Sequence, residues 1–220
     1  MPVRKIPKNY LLVTGGYSSS KNKEMKGFES LLEKEYLLLL DFDDSVESFD
    51  VQPVRIPVSG VPKGYVPDVL VKYRPDPQTN KTRKPSLIEV KHSNDLERNA
   101  DKYAPKFAAA RQYAEARDWE FITIDQHQIR TPRLDNIKFL REFRNVAPSD
   151  DDIQAVLSAA TASTDDLTLQ ALLETLASTD DDKLYWMPII WSMVVSRHLG
   201  TNLNKRFDND VELWPYGGRT

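Results

Sequence analysis

A helical pattern of apolar residues follows a polar, lysine-rich segment at the start of the chain. The apolar residues that recur three or four positions apart are Phe28, Leu31, Leu32, Tyr36 and Leu39. Residues at this spacing share one face of a helix, so the pattern predicts a helix over about residues 27–40. Two acidic residues four positions apart, Glu29 and Glu33, would lie together on its other side.

Three runs with strand character come next. Residues 51–58 include two prolines, which favours a strand near the edge of a sheet. Residues 65–71 and 87–91 are rich in Val, Leu and Ile, as is typical of buried strands. The stretch between them, 75–85, is polar and turn-like, which fits a connection between two antiparallel neighbours.

The following segments alternate between helical and strand patterns. A helix is predicted around residues 107–114, a strand at 119–124 and a helix on Ile137, Leu140 and Phe143. Helix, antiparallel strands, helix, strand and helix in this order are typical of an α/β domain whose mixed sheet is flanked by helices.

An acidic turn at residues 148–152 predicts a domain boundary, with one domain over 1–147 and a second over 148–220. Three helical patterns follow the boundary, and two strand-like segments around an Asn/Asp turn predict a short hairpin at the end. These patterns centre on residues 153–157, 167–176, 184–199, 201–204 and 210–214. Three small helices and a hairpin are the outline of a winged-helix-like domain.

The charges divide the chain at the same boundary. The formal net charge is −3, but residues 148–220 hold 5 Lys/Arg and 12 Asp/Glu, whereas residues 1–147 hold 25 and 21. The basic leader suits contact with a phosphate backbone, although a solvated leader explains it equally well. Because DNA-binding winged helices present a basic surface, the acidic second domain favours docking of a protein partner over DNA.

Composition narrows the chemistry further. The chain has no cysteine and three histidines, which leaves oxygen atoms as the expected metal ligands. The longest apolar stretch, 186–195, is interrupted by Pro188 and Ser192 and is too short to span a bilayer. We therefore expect a cytoplasmic protein with no membrane partner.

The candidate chemistry lies in the two buried strands. Asp68 is the one charge in the run 65–71, and the second run carries Glu89 and Lys91 two positions apart. Alternate residues of a strand share a face, so pairing of the two strands would bring two carboxylates and an ammonium group together. Hard divalent cations such as Mg²⁺ bind carboxylate oxygens in this way. A structural ion pair between neighbouring strands is the alternative that the pattern leaves open.

A Pro-Asp followed by Glu-x-Lys is typical of metal-dependent nucleases with the restriction-endonuclease-like fold. Several motifs that follow one another along the chain make the comparison with a known family more specific. They are Phe-Glu-Ser-Leu-Leu-Glu-Lys-Glu-Tyr-Leu-Leu-Leu-Leu-Asp-Phe-Asp at 28–43, Val46, Gln-Pro at 52–53, Tyr-Val-Pro-Asp at 65–68 and Ile-Glu-Val-Lys at 88–91. Together they resemble TnsA, the endonuclease subunit of heteromeric transposases. The resemblance covers about residues 4–145 well and extends to the second domain by layout.

The resemblance implies a catalytic set of Glu33, Asp68, Glu89 and Lys91. It implies Mg²⁺, with Mn²⁺ as a substitute, held by the three carboxylates and the main-chain carbonyl of Val90. One or two ions would polarise the scissile phosphate and activate a water molecule. Glu29 lies one helical turn before Glu33, and we favour Glu33 because it aligns with the family position; a solvated helix face is the alternative for both.

As for function, the resemblance implies cleavage of double-stranded DNA at the five-prime ends of a transposable element. The implied partners are a TnsB-like transposase, which cuts and joins the three-prime ends, and a TnsC-like ATPase regulator, with the complex assembled on the nucleoid. A self-sufficient restriction or repair nuclease of the same fold is the alternative enzyme. A catalytically silent DNA-binding scaffold is the alternative from another class.

Overall fold

A computed structural model describes residues 15–19, 21–22, 26–162, 167–208 and 210–216. The described residues up to Arg130 form one compact unit, and those from Thr131 onward form a second. Most of the basic leader lies outside the described residues. None of the helices in the described ranges combines the length and the apolar character needed to cross a membrane.

The first unit contains eight of the described strands and four helices. In chain order they are β1 Gly15–Tyr17, β2 Lys26–Phe28, α1 Leu31–Phe42, β3 Val46–Val51, β4 Ile56–Val58, β5 Val61–Tyr65, β6 Val69–Tyr73, β7 Ser86–Val90, α2 Ser93–Arg98, α3 Ala100–Glu115, β8 Glu120–Ile124 and α4 Gln126–Ile129. The second unit contains α5 Pro132–Leu140, a 3-10 turn Arg141–Phe143, α6 Asp150–Ala162, α7 Leu169–Leu176, α8 Asp180–Val195, β9 Leu199–Thr201 and β10 Leu213–Pro215.

A four-stranded mixed sheet in the order β3-β6-β7-β8 is the centre of the first unit. Strand β6 is antiparallel to both β3 and β7, whereas β7 and β8 are parallel. All five residues of β7 are buried, as expected for a strand covered on both faces. Residues of α3 pack over the sheet through a cluster that includes Leu70, Leu87 and Phe107. The predicted α/β class with a mixed sheet and helices is confirmed.

Helix α1 differs from the prediction at both ends. It begins at Leu31 rather than near residue 27, because Ser30 caps it by accepting a hydrogen bond from the main-chain N–H of Glu33. The preceding residues, up to Phe28, pair with β1 as a short strand. The helix continues to Phe42, two residues beyond the predicted end.

Two of the predicted strands are interrupted where the chain turns. The run 51–58 divides into β3, which ends at Val51, and β4, which begins at Ile56. The run 65–71 divides because β5 ends at Tyr65 and β6 begins at Val69, so Asp68 stands just before β6 rather than inside a strand. Its main chain still joins the sheet: its N–H donates to the Ile88 carbonyl at 3.0 Å.

The second unit begins earlier than the boundary predicted at 147/148, so α5 belongs to it. Phe139 of α5 packs edge-on against Trp191, and Trp191 stacks on Phe207 with ring centroids 5.0 Å apart. The Asn136 side-chain N–H groups donate to the carbonyls of Leu203 and Lys205 at 2.9 and 2.7 Å. These contacts join residues far apart in sequence, which the local pattern does not reveal.

The remaining elements of the second unit follow the predicted order. Three helices are present after residue 148, and the last, α8, begins at Asp180 because Thr179 and Asp182 form a capping box. Strands β9 and β10 are antiparallel, with Leu199 opposite Pro215. The predicted terminal pair of strands is therefore present, with its first strand two residues earlier than expected.

Candidate active site

The two central strands of the first unit place three of the predicted site residues side by side. Val69 is the register partner of Ile88 in the antiparallel pair β6 and β7. Asp68 immediately precedes β6, while Glu89 and Lys91 lie at the end of β7 and directly after it. Antiparallel pairing thus brings the start of one strand beside the end of the next.

Lys91 is the centre of this group. Its Nζ lies 2.9 Å from Glu89 Oε1 and 3.6 Å from Asp68 Oδ2. The same ammonium donates to the main-chain carbonyl of Val90 at 3.2 Å. The structure therefore brings Asp68, Glu89, Val90 and Lys91 together, and the two-residue spacing of Glu89 and Lys91 has the consequence expected from strand alternation.

Hydrogen bonds fix both carboxylates in orientation. Asp68 Oδ2 accepts from the main-chain N–H of Val90 at 2.8 Å, which ties the start of β6 to the end of β7. Glu89 Oε2 accepts from the Tyr65 hydroxyl at 2.6 Å, and Glu89 is 3% exposed. Glu89 therefore has a protein donor at each oxygen, Lys91 at Oε1 and Tyr65 at Oε2, while Asp68 Oδ2 is held by the Val90 main chain.

Glu33 lies in the first turn of α1, and its carboxylate accepts hydrogen bonds from the two residues that precede the helix. Its Oε2 accepts from the main-chain N–H of Glu29 at 2.8 Å, and its Oε1 accepts from the Ser30 hydroxyl at 3.0 Å. No hydrogen bond joins Glu33 to the other site residues, but its charge interacts with those of Asp68 and Lys91. Glu33 is therefore buried within electrostatic reach of Asp68 and Lys91, and its carboxylate is hydrogen-bonded to the residues at the start of its own helix.

Burial and mutual repulsion alter the protonation of these acids. Burial, and then the nearby charge of Asp68, raise the pKa of both Glu33 and Glu89 to about 7. Burial also raises the pKa of Asp68, although Lys91 opposes this. Burial disfavours the charged form of Lys91, but Asp68 and Glu89 outweigh it and hold the Lys91 pKa above its ordinary value. At neutral pH the site thus has one firmly charged ammonium and three acids that resist full ionisation.

The donor type and the charge of this site fit a hard divalent cation. Two carboxyl groups flank the Lys91 ammonium and a third, that of Glu33, interacts with it electrostatically, so a further positive charge would favour the ionised forms of these acids. Within the ranges that the structure describes, however, no three acidic or histidine side chains converge as a metal site. Asp68 and Glu89 face Lys91, whereas Glu33 faces the start of its own helix.

Sequence reasoning did not identify the residues that support the acids. Tyr65 holds Glu89 although 24 positions separate them, and Gln52 donates from Nε2 to Glu29 Oε1 at 2.9 Å. One available signal for Tyr65 was chemical, since a buried tyrosine hydroxyl needs a hydrogen-bond partner. Ser30 had a local signal, because Ser followed three residues later by Glu is typical of a capping box.

The same part of the chain matches a known protein family. The family model described as TnsA-like endonuclease N terminal matches residues 43–126, a segment that contains Asp68, Glu89 and Lys91 but not Glu33. A comparison with curated proteins found none that matches. The expected likeness to TnsA is thereby confirmed over residues 43–126, the segment that corresponds to the TnsA-like endonuclease N-terminal domain.

Proposed function

We propose that this chain is a metal-dependent DNA endonuclease that hydrolyses phosphodiester bonds. The observation that carries the proposal is the group formed by Asp68, Glu89 and Lys91, with the ammonium within 3.6 Å of both carboxylates, inside a segment that matches an endonuclease domain. A mixed sheet with these residues on adjacent antiparallel strands also supports a restriction-endonuclease-like fold for the first unit.

Glu33, Asp68, Glu89 and the carbonyl of Val90 are the residues that we propose to hold Mg²⁺, with Mn²⁺ as a substitute. When bound, the metal would polarise the scissile phosphate and lower the pKa of a water molecule. The acids favour this role, because burial and then the nearby charge of Asp68 raise the pKa of Glu33 and Glu89 to about 7, and a bound cation would favour their ionised forms.

Lys91 and Tyr65 would act directly through their hydrogen-bonding groups. Lys91 keeps its proton at neutral pH, so its Nζ can orient the attacking water or stabilise negative charge that develops on the phosphate oxygens. Tyr65 keeps its hydroxyl proton, because burial and the adjacent Glu89 raise its pKa well above the ordinary value. Its O–H therefore remains a donor that holds Glu89 in place.

We further propose that the reaction is the cut at the five-prime ends of a transposable element. The TnsA-like match supports this assignment, which includes a TnsB-like transposase for the three-prime strands and a TnsC-like ATPase regulator as partners. We propose a winged-helix-like, partner-docking role for the second unit, supported by its helices α6, α7 and α8, its antiparallel strand pair and the acidic first turns of α6 and α8.

Transposition products test the proposed role. If the chain makes only the five-prime cut, Asp68→Ala should leave joining to the partner transposase and convert simple insertions into cointegrates, because the donor stays attached. Asp101→Ala, at an exposed position of α3, is the matched control and should give simple insertions. Long-read sequencing of insertion products distinguishes the two outcomes.

Simple insertions at normal frequency from the Asp68→Ala variant would refute the nuclease assignment. A separate incubation of the purified protein with end-containing plasmid and Mg²⁺, with and without the partners, tests the dependence on them. We expect little cutting by the protein alone, and efficient cutting of plain plasmid would instead support the self-sufficient nuclease.

A further inference from the structure

Gln52 occupies an unusual position between two strands of the first unit. It follows β3 directly, is 3% exposed and has a backbone φ of +50°. Residues other than Gly, Asn and Asp rarely adopt this left-handed conformation, which is energetically unfavourable and recurs at functional sites. A glycine or an asparagine would meet the backbone requirement with less strain, so the backbone alone does not explain a glutamine here.

The hydrogen bonds of Gln52 connect the two parts of the candidate active site. Its main-chain N–H donates to the Asp68 carbonyl at 2.7 Å, and its side-chain Nε2 donates to Glu29 Oε1 at 2.9 Å. The main-chain N–H of Glu29 in turn donates to Glu33 Oε2 at 2.8 Å. Three hydrogen bonds therefore run from Asp68 on the sheet to Glu33 on α1.

The orientation of the Gln52 amide follows from its partner. A carboxylate only accepts hydrogen bonds, so the amide nitrogen must face Glu29, and the amide oxygen must point elsewhere. That oxygen is buried and has no hydrogen-bond partner among the described residues. Buried amide groups normally form hydrogen bonds through both the nitrogen and the oxygen. Gln52 keeps its hydrogen bond to Glu29 although its amide oxygen has no partner among the described residues.

Glu29 joins the two parts of the site through different atoms. Its side-chain Oε1 accepts the hydrogen bond from Gln52 Nε2, and its main-chain N–H donates to Glu33 Oε2. Gln52 is thus the neutral donor that holds the residue to which the Glu33 carboxylate is hydrogen-bonded.

We propose that Gln52 is a positioning residue that aligns Glu33 on α1 with Asp68 on the sheet by holding Glu29. The proposal rests on the proposed nuclease function, in which both of these acids serve one reaction. Gln52 itself need not contact the DNA. Its side chain sets the distance between the two elements, because it reaches from the end of β3 to the residue that holds the Glu33 carboxylate.

Substitution to asparagine separates positioning from folding. Gln52→Asn keeps an amide and tolerates a positive φ better, but its side chain is one methylene shorter and cannot reach Glu29 in the same geometry. We expect thermal stability to be unchanged or higher, while kcat for DNA cleavage in the presence of the partners falls about ten- to a hundredfold and KM for DNA is unchanged. Gln78→Asn, in an exposed turn, is the matched control and should change neither quantity.

A second variant tests whether Gln52 acts through Glu29. Glu29→Ala should reduce kcat to a similar extent, and the double variant should be no worse than either single one, because both remove the same link. Glu97→Ala, at an exposed position of α2, is the control for loss of a glutamate. Additive losses would refute the link between Gln52 and Glu29.

The outcomes also separate this inference from the function on which it rests. A wild-type protein that does not cleave DNA with its partners would refute the proposed function and the positioning role with it. A wild-type protein that cleaves, together with a fully active Gln52→Asn variant, would refute the positioning role alone. A Gln52→Asn variant that loses activity only in proportion to lost thermal stability would show a structural role and would also refute it.

Discussion

Two pairs of acidic residues, one pair in each unit, have pKa values shifted in opposite directions. In the first unit, Glu33 and Glu89 are buried near Asp68, and both have a pKa raised to about 7. In the second unit, Asp152 and Asp182 are only half-buried, accept hydrogen bonds from residues at the start of α6 and α8, and have lowered pKa values. When ionised, the buried acids of the first unit lower the stability of the folded state, whereas the capping acids of the second unit raise it. Acids that oppose folding are expected where function requires them.

The largest difference between substitutions of acids in the two units should appear in Mn²⁺ affinity. Asp68→Ala removes a buried carboxylate from the proposed ligand set, so we expect Mn²⁺ binding measured by calorimetry to fall at least about a hundredfold while circular dichroism shows the fold intact. Asp182→Ala removes an acid that only caps α8, and Mn²⁺ affinity should not change. Equal affinity in the two variants would contradict the proposed metal site.

The contributions of these two pairs of acids to the pH dependence of stability should have opposite signs. For Glu33 and Glu89, the pKa is near 4.5 when unfolded and about 7 when folded, so the folded state binds more protons between these values and loses stability as pH rises through them. The loss should be on the order of a few kcal/mol in total. The lowered pKa values of Asp152 and Asp182 add stability above the unfolded value of 3.8, which is lost as pH falls.

Hydrogen exchange on the full chain measures both trends at once. After correction for intrinsic exchange rates, protection of the β7 amides should decrease from pH 5 to pH 8 without metal, and Mg²⁺ should restore it. Protection in α8 should not decrease over this range. Constant protection of β7 across these pH values would contradict the raised pKa values of the buried acids.

Loss of the Tyr65 hydroxyl should slow DNA cleavage more than loss of a buried hydroxyl elsewhere in the first unit. Tyr65→Phe removes the hydrogen bond to Glu89 Oε2, and we expect cleavage with the partners to slow about tenfold, equivalent to ~1.4 kcal/mol. Tyr73→Phe is the control, because its hydroxyl donates to Ser86 Oγ at the other end of β7. The same rate in both variants would show that Tyr65 has no special role.

The smallest effects should come from the helix caps, and they sharpen the comparison between the units. Thr179→Ala and Ser30→Ala each remove the side chain that caps a helix, at a cost of about 1 kcal/mol in unfolding free energy. Only Ser30 also donates to Glu33 Oε1, so only Ser30→Ala should lower Mn²⁺ affinity. Thermal melting and calorimetry together test this, and lower affinity in Thr179→Ala would contradict it.

The sequence revealed the parts of the site that depend on local geometry. Strand alternation correctly placed Glu89 and Lys91 together, and the pairing of two apolar runs brought Asp68 to them. The contacts that could not be predicted join distant residues, such as Tyr65 with Glu89 and Gln52 with Glu29. The spacing of apolar residues indicates which face of a helix or strand a residue occupies. It does not indicate which residues of other elements contact that face.

The same limit explains the differences in the fold. The start of α1 was predicted too early because Phe28 fits the helical spacing, whereas the pairing of β2 with β1 takes it into a strand. The domain boundary was predicted from an acidic turn at 148–152, but Phe139 packs against Trp191 and so joins α5 to the later helices. In each case a tertiary contact outweighed a correct local pattern.

The ammonium of Lys91 has a further consequence, since it already occupies the position of a counter-ion between Asp68 and Glu89. A divalent cation that enters must displace the ammonium or share the carboxylates with it. We therefore expect a DNA phosphate, which offers the ammonium another anion, to raise the metal affinity of the site above that of the free protein. In the proposed nuclease, such a lysine would keep the site less active in the absence of DNA, which would limit cleavage outside the assembled complex.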